Sequence, residues 1–168
     1  MKIVLRTLIL LCLVTWIGAE LFFPFVAYYA FTTLAPDTHT AGRIVGACLR
    51  VIHFEGLVAA ALLMVLVVLG KRIGIVSLKT LRIAVVLLVV MSGLTAVSQF
   101  GIIPRMETYR VAVGGDVNAA PVGDPSRTAF ERLHKTSEHV EEAILLCGLV
   151  LVGVLAGSAE PQARPERG

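Results

Sequence analysis

The chain has 168 residues, of which 57 % are hydrophobic and only 16 % charged, and its mean hydropathy is +0.84. Soluble domains hold nearer half apolar and about a quarter charged residues, so this balance excludes an ordinary soluble domain and indicates an integral membrane protein. The formal net charge of +3 comes from basic residues that are scattered or flank apolar runs; that pattern orients a protein at a membrane and does not make a nucleic-acid patch, so no nucleic-acid partner is expected.

The first apolar run covers 4–34 and stops before Ala35-Pro36-Asp37. Its beginning, MKIVLR followed by TLILLCLVTWIGA, imitates a secretion signal with a small residue at Ala19. Cleavage there would leave LFFPFVAYYAFTTL as half a span, so the reading favours an uncleaved helix. At 100° per residue Trp16, Glu20, Phe23 and Ala27 share one face, and Pro24 is expected to kink the helix in mid-span.

The second run covers 40–70. Arg43, Gly46, Arg50, Phe54 and Leu57 form one stripe, His53 lies about 60° from it, and Glu55 falls almost opposite His53. His39, just before this run, reads as a surface loop residue. The third run covers 78–103 or a little beyond Pro104, with Ser92, Thr95, Ala96 and Gln99 on a small, polar face suited to close helix packing.

A loop rich in glycine, proline and asparagine, GGDVNAAPVGDPS, separates the third run from the fourth. The fourth covers 126–157, with Asp124 or Ser126 as its N-cap. It begins with mixed charge, RTAFERLHKTSEHVEE, and turns wholly apolar at Ala143. His134, Ser137, Glu138 and Glu141 lie in one stripe. The remaining segment, 158–168, is polar and proline-bearing and reads as a disordered cytoplasmic tail. The three cysteines, Cys12, Cys48 and Cys147, form no CxxC pair and read as small apolar fillers.

Four spans, each longer than the roughly 20 residues a bilayer core requires, predict one domain over 1–157. It is an all-α, integral membrane four-helix bundle with up-down topology and long helices protruding on the outer side. Lys2, Arg6, Lys71, Arg72, Lys79 and Arg82 gather on one side. That places both termini in the cytoplasm of a cell whose inner membrane the chain crosses several times. Counted from those basic ends at 1.5 Å per residue, Glu20, His53, Glu55, Gln99 and Glu142 all stand roughly 21 to 26 Å along their helices. Ionisable groups in a span are costly, and their common depth predicts a polar chamber in the outer third, with Glu20 either paired to Arg50 or Arg105 or protonated.

Three stretches, TWIGAELFFPFVAYYAF, IIPRM and FERLHKTS, occur in an order that resembles the transmembrane-protein-205-like family, whose bacterial members carry a domain-of-unknown-function label. The matching positions are Trp16, Phe22, Pro104, Arg105, Phe130, His134 and Ser137. The family pattern often has asparagine seven residues after its histidine, where this chain has Glu141. The resemblance implies a four-helix membrane protein and no defined reaction.

The expected function is a chamber, built from Trp16, Glu20, Arg50, His53, Gln99, Arg105, His134, Ser137, Glu138 and Glu141, that binds an ion, a small molecule or a partner subunit. The partners expected are the lipid bilayer and either a second copy or a membrane subunit. The alternative is a redox or metal-handling protein in which His53, His134 and Glu138 ligate a divalent metal or haem. No Gly-x-Ser-x-Gly, His-Glu-x-x-His or phosphate loop is present, so the reading leans away from an enzyme.

Overall fold

A computed structural model describes residues 1–157, and the predicted polar tail lies outside the described residues. The chain is an all-α membrane bundle. Helix α1 runs over Lys2–Thr33, α2 over Thr38–Arg72 and α3 over Leu78–Val97; a five-residue π-helical turn, Ser98–Ile102, joins α3 to α4, Ile103–Ala112; α5 covers Pro125–Gly157. Because α3, the π turn and α4 form one continuous rod, four rods among the described residues are long and apolar enough to cross a bilayer: Lys2–Thr33, Thr38–Arg72, Leu78–Ala112 and Pro125–Gly157. This is a multi-pass membrane protein.

Each turn has a local cause. Asp37 caps α2 by accepting the Thr40 amide at 2.9 Å, and the same bond holds the Asp37 carboxyl below the usual carboxylate range. Between α2 and α3 the chain reverses at Gly74, whose φ of 74° suits glycine. There the Ile75 and Val76 amides both return to the Gly70 carbonyl, and Ser77 caps α3 through the Thr80 amide. Of the two candidates for the cap of α5, Asp124 holds the position, accepting the Ser126 and Arg127 amides at 2.8 and 3.0 Å.

The third rod extends past the expected end near 103 to Ala112. Pro104 lacks an amide proton and its ring crowds the carbonyl four residues before it. The chain answers with a wider turn in which the Ile103 amide reaches back five residues to the Ser98 carbonyl. The helix therefore absorbs the proline and continues.

The helices pack in the cyclic order α1, α2, α3, α5, with α4 continuing along α5, and the α1–α5 seam is the thinnest. One half of the bundle is apolar throughout: Leu5, Ile9, Leu13, Leu63, Val67, Ala84, Leu88, Met91, Leu151 and Leu155 are buried together. Two glycines draw α1 against its neighbours at the top of this core. The Trp16 indole fills the space that a side chain on Gly56 would take, and Ile17 does the same at Gly148. Outward-facing Leu10, Val14, Val65, Val86 and Val89 are exposed, as a lipid-facing surface requires.

Candidate functional site

Above the Ile17–Gly148 contact α1 and α5 no longer touch closely, and the space between them widens into a cleft of about 940 Å³. Phe23, Pro24, Ala27, Tyr28 and Phe31 of α1 form one wall; His134, Ser137, Glu138, Glu141 and Leu145 of α5 form the opposite one. Val45, Leu49 and Arg50 of α2 and Ile103, Met106, Glu107 and Arg110 of α4 complete it.

Beneath the floor of the cleft lies a buried hydrogen-bonded cluster that joins three rods, and Glu141 is the member of it that also lines the cleft. His53 is fully buried. Its Nδ1 lies 3.0 Å from Oε1 of Gln99, and its Nε2 lies 3.0 Å from Oε1 of Glu141. The Ser98 hydroxyl donates to the same Glu141 oxygen at 2.8 Å. Both ring nitrogens thus face acceptor oxygens, so one proton is shared along the His53–Glu141 axis: an imidazolium opposite a carboxylate, or a neutral ring accepting from a carboxyl. Among the described residues this is the one ion pair that joins two helices; the others link neighbours three or four apart within a helix.

The π turn is what equips the floor. Ser98 and Gln99 are adjacent in sequence and both buried, and the wide turn lets consecutive side chains reach Glu141 and His53 together. Helix counting along the sequence puts Gln99 at this level, whereas nothing in an ordinary α-helical register brings the adjacent Ser98 to the same cluster. The signal for it is Pro104, six residues on, which the helix absorbs by widening at Ser98–Ile102.

Glu20 is 4 % exposed and lines the cleft. Its expected pairing with Arg50 or Arg105 is not made. Among the described residues Glu20 Oε1 has no hydrogen-bond partner of good geometry; the Trp16 indole is the donor beside its carboxyl, and the charged groups within its electrostatic reach are Glu141, His53 and Glu55. Arg50 lines the cleft nearer its outer mouth, within reach of Glu107. Arg105 is exposed and lies outside the cleft, because α4 continues past the π turn with that position facing outward. Oε2 of Glu141, Oε2 of Glu55 and Nε1 of Trp16 are also buried without partners.

The metal or haem set is not brought together. His134 is more than half exposed, pairs with Glu138 at 3.4 Å and stacks on Phe130. It stands seven residues, roughly 10 Å, above Glu141 along α5, while both nitrogens of His53 are already engaged. Among the described residues no three His, Cys, Asp or Glu side chains gather with metal-binding spacing.

The outer mouth has a roof. His39, expected on the surface, lies in the first turn of α2, where its Nδ1 donates to the Gly115 carbonyl at 2.6 Å. Asn118 donates to the Thr38 hydroxyl at 2.9 Å. Gly115, Asp116, Val117 and Asn118 thereby close over the cleft.

A family model described as a domain of unknown function, DUF4149, matches residues 11–113. The chain belongs to the DUF4149 family. The matched region carries Trp16, Glu20, His53, Ser98 and Gln99 and ends before α5, so in this DUF4149 chain the Glu141 side of the cluster comes from beyond the matched stretch. No curated protein and no solved structure matches the chain.

Proposed function

We propose that this protein binds a small amphipathic molecule in the cleft between α1 and α5, with the apolar body against Phe23, Ala27 and Phe31 and the polar head against Glu20 and Glu141, beneath which His53 is buried. The observation that carries this reading is the pairing of one continuous space, about 940 Å³, with a buried polar cluster at its base. That volume lies within the range of small-molecule sites, and such sites combine apolar walls with a few convergent polar groups. A roof tied down by His39 and Asn118, beside a thin α1–α5 seam, favours entry sideways from the lipid over entry from water.

In this reading both termini lie in the cytoplasm, the membrane is the cell's inner membrane, and the cleft opens in the outer leaflet. Lys71 and Arg72 in the last turn of α2 support that orientation. Kinship with the transmembrane-protein-205-like proteins rests on Trp16, Phe22, Pro104, Arg105, Phe130, His134 and Ser137.

The test is photolabelling in lipid nanodiscs with a neutral medium-chain alcohol carrying a diazirine. Label at Phe23, Ala27 or Leu145 that excess unreactive alcohol removes, and that Ala27→Trp abolishes, is expected. Label confined to lipid-facing Leu10 and Val14, and not removed by competitor, would overturn the proposal.

A further inference from the structure

The floor of the cleft is short of positive charge. Glu20 and Glu141 both line it, each with a buried carboxyl oxygen that meets no partner. Glu20 is 96 % buried by its 4 % exposure. Behind them Glu55 adds a third carboxyl with a bare oxygen, and among the described residues the one base in hydrogen-bond contact with this layer is His53, whose two nitrogens are spent on Gln99 and Glu141. Glu141 shares charge or a proton with His53, whereas Glu20 has no such partner; a carboxyl inside a bilayer is neutralised by a proton or by a positive counter-group, and an amphipathic cation in the cleft is able to supply the second.

The arginine best placed to supply one does not. Arg50 is exposed, stands one turn nearer the mouth than His53 and lies within reach of Glu107. Pro24 contributes in the other direction: it has no amide proton to give the Glu20 carbonyl, so the α1 ladder lacks that bond at the level of the cleft. Among the described residues bare carboxyl oxygens outnumber the one bare donor of this layer, the Trp16 indole, while the α1 wall above, Phe23, Ala27, Tyr28 and Phe31, is aromatic and aliphatic and the other charged side chains stand nearer the mouth. A bare metal ion would find no three-ligand set among the described residues and would leave the apolar volume unused.

We propose that Glu20 and Glu141 form a cation subsite that selects, among amphipathic ligands, those with an ammonium or other onium head on a hydrophobic body. The proposal rests on the cleft reading above and narrows it to one chemical class. The head sits against Glu20 and Glu141 where these side chains line the cleft, and the body fills the gap between Phe23 and Leu145.

Tetraphenylphosphonium and tetraphenylborate test it, being matched in shape and opposite in charge. Trp16 is the single tryptophan and sits one helical turn below Glu20, so its fluorescence reports binding in nanodiscs, with protein-free discs as the blank. Saturable binding of the phosphonium, none of the borate, and at least tenfold weaker phosphonium binding in both Glu20→Gln and Glu141→Gln are expected. Saturable binding of both ions with similar affinity, or unchanged phosphonium affinity in both variants, overturns the cation subsite. If the neutral alcohol still labels the cleft in that case, the amphiphile reading survives; if it does not, both fall. Should a variant not fold, the comparison of the two ions on the unaltered protein decides alone.

Discussion

Nε2 of His53 on α2 lies 3.0 Å from Oε1 of Glu141 on α5, with His53 fully buried. Removing one partner of such a pair strands the other in a medium of low polarity, at a cost of about 3 to 5 kcal/mol. His53→Ala is therefore expected to be strongly destabilised in detergent melting. Glu141→Gln, which keeps an acceptor for Ser98, should lose less. A double-mutant cycle between His53→Ala and Glu141→Ala should give a coupling of about 0.5 to 3 kcal/mol; strict additivity would show that the pair is not coupled.

Gly56 is a contact surface for Trp16, whose indole occupies the site of the missing side chain. Gly56→Ala must push the ring aside, and overpacking of this kind costs about 1 to 3 kcal/mol. Gly93 has nothing within 4 Å of the equivalent position, so Gly93→Ala is expected to be neutral or slightly stabilising through helix propensity. Melting of the two variants checks the contrast, and a shift of the Trp16 emission should accompany only the first.

The depth of the polar layer was legible because ionisable residues interrupt otherwise apolar runs, and counting along four helices put Glu20, His53 and Gln99 at one height. What each side chain meets was not legible. Glu20 looked ready for an arginine because Arg50 and Arg105 are its nearest candidates by height, yet Arg50 lies nearer the mouth beside Glu107 and Arg105 faces outward. His39 looked like a surface residue because its partner, the Gly115 carbonyl, is 76 residues away and reached only when the loop folds back. The apolar half needed no such information, since burying any side of a uniformly apolar helix is nearly equivalent.

The roof should be separable from the bundle. His39→Ala removes the hydrogen bond to Gly115 and leaves Asn118 as the remaining clip from this loop to the start of α2. Limited proteolysis between 114 and 123 is expected to speed up several-fold while the melting temperature stays within a few degrees. A large loss of thermal stability would instead make the loop part of the core.

Asp37 predicts a local pH dependence. Its carboxyl is held below the ordinary range by the Thr40 amide, so the folded state binds a proton less readily than the unfolded chain. The cap's contribution is then fully present above the unfolded carboxylate value, near 3.9, and disappears as the pH falls through the lower folded value. Amide exchange at Thr40, corrected for the intrinsic rate, should accelerate only in that acid window. In Asp37→Ala it should be fast at every pH, and in Asp37→Asn it should stay slow without the acid step.

Pro104 acts on the site from a distance of one helical turn, through the backbone. Alanine there would supply the missing amide proton and remove the ring that crowds the Phe100 carbonyl, so the π turn can tighten to ordinary α geometry. Tightening rotates the two halves of the rod relative to each other, and Ser98 and Gln99 can no longer both face the cluster. The helix itself should gain from the change, so global stability is an ambiguous reading. The coupling is not: Gln99→Ala should cost about 1 to 3 kcal/mol in the native background, because it strands Nδ1 of buried His53. In the Pro104→Ala background the same substitution should cost almost nothing, since the contact is already gone. Equal costs in both backgrounds would mean that the proline does not set the geometry of the floor.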